Sequence, residues 1–300
     1  PAELAGIIAL SEARFGTGTI SSIVFASPDA AWSEVRLADG HHAWVDHRAG
    51  VVREFTQADW AIEWVFDLHH QLLSGDTGEL VVGGVGLATA LMAVSGLILW
   101  WPARRSFTAA VVPKRKGRAG WLAAHRDLAV MAAPMVFVST LTGATMALPD
   151  LSRPLFQAPA PKGPKVAVAA SGATNWPAAL AQAQARFPGA VVRMAIPARK
   201  PGQAASFRMR QAGEWHTNGR TTVFFDPADG RIVSAYDAMA QNTGARVYNS
   251  AWPVHTARYG GPVWKALIIV GGLSLAALAL YGGEAYRRKL FPARRPPIGG

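Results

Sequence analysis

The sequence predicts an α+β membrane protein in which transmembrane helices alternate with two small mixed domains. Three observations predict it. Long apolar stretches lie at about 80–101, 121–148 and 263–281. Basic clusters free of acids abut them. The same succession of one helix and several strands occurs twice, at 1–58 and 174–250.

The first small domain opens with Leu4, Ile7, Ile8 and Phe15 at helical spacing, closed by Gly16 and Gly18. Thr19–Phe25, Ser33–Leu37, Ala43–Val45 and Val51–Phe55 read as strands. Asp39-Gly40 and His47-Arg48-Ala49-Gly50 read as turns. Residues 59–101 hold an approach segment and the first span. From Leu80 to Trp101 the chain carries no charge, and about 20 apolar residues suffice to cross a bilayer as a helix. Trp100 and Trp101 suit the interface, and Gly83-Gly84-Val85-Gly86 suits close helix packing or room for a cofactor face.

Residues 102–120 form a basic loop, and 121–149 a second span that Pro134 is expected to kink. Residues 150–173, rich in Pro, Ala and Gly, read as a linker. In the second small domain a helix over Trp176–Phe187 precedes strands at Val191–Ile196, Ser206–Arg210 and Thr221–Phe225. Residues 251–283 carry the third span and 284–300 a basic tail. Reading the halves as repeats, the first lacks only an initial span. A fourth helix before Pro1 is therefore expected.

Half of the 300 residues are hydrophobic and mean hydropathy is positive, which suits a membrane protein with soluble domains. The net charge of +11 does not mark a nucleic-acid binder. Arg104, Arg105, Lys114, Arg115, Lys116, Arg118, Arg287, Arg288, Lys289, Arg294 and Arg295 account for the whole excess, and the other basic residues match the 19 acids in number. Both clusters read as topology signals, with the loop and the C-terminus cytoplasmic and the small domains outside. In a Gram-negative bacterium that places the chain in the inner membrane and the small domains in the periplasm. There is no cysteine, so disulfides, iron–sulfur clusters and covalent haem attachment are excluded within this chain. No Walker loop, dinucleotide fingerprint or HExxH motif occurs.

Four motifs carry a resemblance. They are Leu68-His69-His70-Gln71-Leu72-Leu73 with Gly75 and Gly78; Ser95-Gly96-Leu97 with Trp100-Trp101-Pro102; His125-Arg126-Asp127-Leu128 with Pro134 and Thr142-Gly143; and Pro253-Val254-His255-Thr256 with Gly260-Gly261. In this order, over nearly the whole chain, they resemble the PepSY-associated transmembrane family, and the small domains resemble PepSY domains. That family includes ferric-siderophore reductases of the ferrioxamine-reductase type, which are similar to di-haem proteins. The resemblance implies haem b, two per full-length protein, held by membrane histidines.

His69 and His255 occupy equivalent positions, each just outside a span, and are the expected ligands of an outer haem iron; His70 is the alternative to His69. His125 is the expected ligand of an inner haem, with its partner on the helix before Pro1. Arg126 and Arg258 are candidates for haem propionates or for snorkelling to lipid phosphates. An interfacial histidine can also simply hydrogen-bond at the headgroup level. His41, His42 and His47 form a cluster that reads as an exposed strand face rather than a metal site. The function expected is electron transfer from a cytoplasmic reductase or quinol to a periplasmic acceptor such as a ferric siderophore. The alternative is a non-enzymatic, membrane-anchored module that binds a periplasmic protein.

Overall fold

A computed structural model of the chain describes residues 2–28, 30–48, 50–56, 61–167 and 174–291. Arg294 and Arg295 of the basic tail lie outside the described residues, as does the end of the expected linker. The chain forms two compact units. One comprises residues 1–75 and 150–250, the other residues 76–149 and 251–300.

The first unit is built on one antiparallel sheet. Helix α1 (Ala2–Phe15) precedes β1 (Ile20–Val24), β2 (Ser33–Leu37), β3 (His41–Asp46), β4 (Gly50–Thr56) and helix α2 (Ala61–Gln71). Helix α6 (Trp176–Arg186) precedes β5 (Val191–Ile196), β6 (Ala205–Arg210), β7 (Thr221–Phe225) and β8 (Ile232–Tyr236). The order is β4-β3-β2-β1-β5-β6-β7-β8. The two repeats are therefore not separate sheets. They join edge to edge where Ile23 pairs with Ala195 and Val24 with Met194. Arg193 reinforces the seam by donating from Nη1 to the Ala26 carbonyl at 2.8 Å. Pairing the first strands of both repeats hides two edges that would otherwise expose unpaired backbone groups.

Alternation along the strands turns one face to the core. Val35, Ala43, Val45, Val192, Phe207, Met209, Val223 and Phe225 are buried there against Ile7 and Ile8 of α1 and Ala179, Leu180 and Ala183 of α6. Phe207 and Phe225 stack at 5.0 Å under Trp176. Trp176 Nε1 donates to Glu12 Oε1 at 2.8 Å, tying the two helices together. Gly230 has φ of +74°, and a Cβ there would stand 2.6 Å from the Ala179 nitrogen, so the turn before β8 needs glycine to pass under α6.

The second unit holds α3 (Gly75–Trp100), α4 (Arg118–Ala147) and α8 (Gly261–Leu290). Each belongs to a helix long and apolar enough to cross a membrane. Their large outward side chains, such as Leu99, Met92, Val263 and Leu280, are exposed. Exposure of this kind suits lipid rather than water. Glycines set the packing. A Cβ on Gly83 would meet the Leu148 side chain at 2.6 Å, and one on Gly86 the Thr140 carbonyl at 3.2 Å. The Gly83–Gly86 run thus serves close contact of α3 with the end of α4. A Cβ on Gly271 of α8 would meet Met135 at 3.0 Å. Helix α4 continues through Pro134.

Two further helices were not legible as such in the sequence. Pro149–Leu155 forms α5 where a linker was expected, and Thr243–His255 forms α7 ahead of α8.

Candidate functional site

In the transmembrane unit α3 comes close to α4 near Gly83 and Gly86. Towards Trp100 the space between α3, α4 and α8 is a cavity of about 700 Å³. Its walls are mostly apolar, including Val85, Met92, Val130 and Leu275, and His125 lines it. The volume lies within the range of small-molecule and cofactor sites.

His125 is half-buried, in the second turn of α4 and fixed against α8. Its Nδ1 lies 3.0 Å from the Leu278 carbonyl. A carbonyl only accepts, so Nδ1 carries the proton and the lone pair of the neutral ring sits on Nε2. Gly282, one turn beyond Leu278, faces the ring, and a Cβ there would stand 3.5 Å from it, an ordinary contact. Trp100 also lines the cavity, and its Nε1 is buried without a hydrogen-bond partner among the described residues. An unpaired buried donor of that kind calls for an acceptor that the protein itself does not supply.

Arg126 and Asp127 have different work. Asp127 is fully buried. Its Oδ2 accepts from Thr108 N at 2.9 Å, Thr108 Oγ1 at 2.7 Å and Ala110 N at 3.3 Å. Its Oδ1 accepts from Arg126 Nε at 2.8 Å. Arg126 also donates to the Ser106 hydroxyl at 3.0 Å and to its carbonyl at 2.9 Å. The pair fastens the basic loop to α4. Arg126 borders the cavity, but its N–H groups are largely engaged in that anchor.

His255, at the end of α7, repeats the His125 arrangement at the other end of α4. Its Nδ1 donates to the Ser139 carbonyl at 2.9 Å and lies 3.2 Å from Thr142 Oγ1. Gly143, one turn beyond Ser139, faces the ring; a Cβ there would stand 3.0 Å from Cε1. Again the lone pair falls on Nε2. The segments Leu141-Thr142-Gly143 and Leu280-Tyr281-Gly282 are the sequence trace of both grips. In each, the accepting carbonyl lies four residues before the glycine. Helix α7 closes with Arg258 N donating to the Pro253 carbonyl at 2.9 Å and Ala257 N to the Val254 carbonyl at 3.3 Å. This is a Schellman closure with Ala257 in the left-handed region at φ 53°. Arg258 is exposed, with its guanidinium 5.9 Å from the Trp252 ring centroid.

His69 and His70 lie in the last turn of α2, which has no buried residue. His70 stacks on Phe66 at 5.4 Å. The helix exits through Leu72 and Leu73, both at positive φ, followed by Gly75 at +59°. His41, His42 and His47 do not converge. They pair separately with Asp39, Glu34 and Glu3. Burial raises the Glu34 carboxyl, but Arg36 and His42 outweigh it and hold the group below its usual range. Among the described residues no group of three or more His, Asp or Glu side chains is arranged to hold a metal ion.

The family model described as PepSY-associated TM region matches residues 6–289. The chain belongs to that family. No curated protein matches it.

Proposed function

We propose that this member of the PepSY-associated TM region family is a haem b electron-transfer protein of the bacterial inner membrane. In this reading it takes electrons from a cytoplasmic reductase or quinol and delivers them to a periplasmic acceptor such as a ferric siderophore. The observation that carries it is His125: an imidazole whose Nδ1–H is committed to a backbone carbonyl, beside a large apolar cavity inside the transmembrane unit. Metal-binding histidines almost always fix the second nitrogen in this way, which orients the ring and sets its tautomer.

The chemistry of His125 and Trp100 suits the group. His125 would offer Nε2 to the iron of the inner haem, and the unpaired Trp100 Nε1 would donate to an acidic edge such as a propionate. The apolar walls would exclude water. His255, held by Ser139, and His69 would serve the outer haem, with Arg258, three residues on in the chain, as a partner for its propionates. Haem, when bound, supplies a one-electron iron centre whose potential follows axial ligand and burial. Reduction of a ferric siderophore weakens its hold on the metal, since hard oxygen ligands prefer the more highly charged ion.

The test is a spectrum of the full-length protein purified after haem-replete expression. A Soret band that weakens in His125→Ala supports the reading. A protein that folds and shows no Soret band overturns it, and leaves the membrane-anchored binding module as the reading to pursue.

A further inference from the structure

A second cavity, of about 380 Å³, lies wholly within the sheet unit, where the β6–β7 loop meets the first turns of α7. Glu214, Arg220, Arg246 and Asn249 line it, with Trp215, Met239 and Val247 supplying apolar wall. Glu214 is spent on its own loop. Its carboxylate accepts from Gln211 N at 3.0 Å, Thr221 Oγ1 at 2.8 Å and Arg220 N at 2.5 Å.

The cations are not spent. The Arg220 guanidinium makes no ion pair among the described residues, and its Nε is buried without a hydrogen-bond partner. Arg246 is exposed and likewise has no ion pair. Asn249 Nδ2 is a third donor, buried and without a hydrogen-bond partner among the described residues. The neighbourhood is strongly cationic. His216, buried beside the cavity, is held neutral with a pKa lowered to about 2, by burial first and then by Arg208, Arg220 and Arg210. Arg208 itself is lowered to about 10 by burial and by Arg220. Burial lowers the Arg220 pKa and nearby Glu214 offsets this only in part, so an anion that completes the pairing of Arg220 is favourable.

We propose that this cavity binds a small-molecule carboxylate, held by Arg220 and Arg246 with Asn249, its apolar body against Trp215 and Met239. The chemistry selects the class. Arg220 and Arg246 line the cavity while Glu214 is committed to its own loop, which suits an anionic ligand. A guanidinium engages a carboxylate bidentately. The volume lies at the small-molecule end of binding sites, and the apolar wall favours an organic anion over a fully hydrated one. The inference stands independently of any haem.

The test is isothermal titration of the full chain in detergent with benzoate, its neutral isostere benzamide, and inorganic phosphate. Saturable benzoate binding is expected, weakened at least tenfold in Arg220→Gln and Arg246→Gln, with no saturable benzamide binding. Arg246 is exposed on α7, so Arg246→Gln decides the matter if Arg220→Gln does not fold. The proposal is overturned by absence of saturable benzoate binding at millimolar concentration. Benzamide binding of equal strength, binding that withstands Arg246→Gln, or binding of phosphate alone would overturn it as well.

Discussion

His125 Nδ1 lies 3.0 Å from the carbonyl oxygen of Leu278, and the ring faces Gly282 one helical turn further on. His255 makes the same grip on Ser139, with Gly143 in the place of Gly282. Helix α4 thus gives a histidine to α8 near one end and receives one near the other. Two rings fixed in the same tautomer by the same backbone device are what a pair of oriented ligands requires.

The two grips differ in slack. A Cβ on Gly282 would stand 3.5 Å from His125, an ordinary contact, whereas one on Gly143 would stand 3.0 Å from His255. Gly282→Ala is therefore expected to leave thermal unfolding and any haem spectrum unchanged. Gly143→Ala is expected to displace the His255 ring by a few tenths of an ångström and to alter the spectrum. Absorption spectra of the two variants compare them directly, and equal behaviour would contradict the geometry.

Asp127 is expected to be the most costly single truncation in the transmembrane unit. It is fully buried with three donors on one oxygen and Arg126 on the other. Removing the carboxylate strands the Thr108 and Ala110 donors as well as Arg126, and each buried donor left unsatisfied costs about 1–3 kcal/mol. Asp127→Ala should lower the unfolding temperature in detergent and expose the 102–117 loop to protease. Arg126→Ala should do the same more weakly, because Thr108 and Ala110 still satisfy Asp127.

The spans were legible because about 20 uncharged residues have one physical meaning, and the repeat because turn residues and apolar periods recur. The joined sheet was not. Alternation in Ile20–Val24 and Val191–Ile196 says which side chains turn inward, but it cannot say that the two strands pair with each other. Helix α7 escaped notice because Asn249 and Pro253 interrupt its apolar spacing. The partners of His125 and His255 are backbone carbonyls, which every residue carries. Only the glycines at 143 and 282, four residues on, leave a trace. Arg126 looked available for a ligand because its tie to Ser106 spans a loop.

Acid should weaken the sheet unit through His216. Its folded-state pKa is depressed to about 2, by burial and then by the arginines around it, while in the unfolded chain it titrates near 6.5. Between those values the unfolded state binds more protons, so stability falls as pH falls. The contribution is fully present above about pH 6.5 and is lost progressively towards pH 2. Unfolding temperatures measured from pH 8 to pH 4 should decline less steeply in His216→Gln than in the parent. Parallel curves would show that His216 is not the group responsible.

Ala257 sits at φ 53°, in the left-handed region that costs a residue with a Cβ about 1 kcal/mol. Glycine removes that cost at the closing position of α7. Ala257→Gly should therefore raise the unfolding temperature slightly, opposite to the usual effect of a glycine.

The separation of inner and outer sites gives the sharpest expectation for the proposed function. His125 lines the cavity between α3, α4 and α8, whereas His255 grips α4 at its other end. If each serves its own haem, the full-length protein should lose half of its haem in His125→Ala and half in His255→Ala. Pyridine haemochrome assays normalised to protein would read both losses. His69→Ala should behave like His255→Ala, and His70→Ala should not. Should His70→Ala, rather than His69→Ala, empty the outer site, the neighbouring ring is the ligand. Should neither His255→Ala nor His69→Ala change the haem content, the outer assignment fails while the His125 cavity still stands to be judged by its own variant.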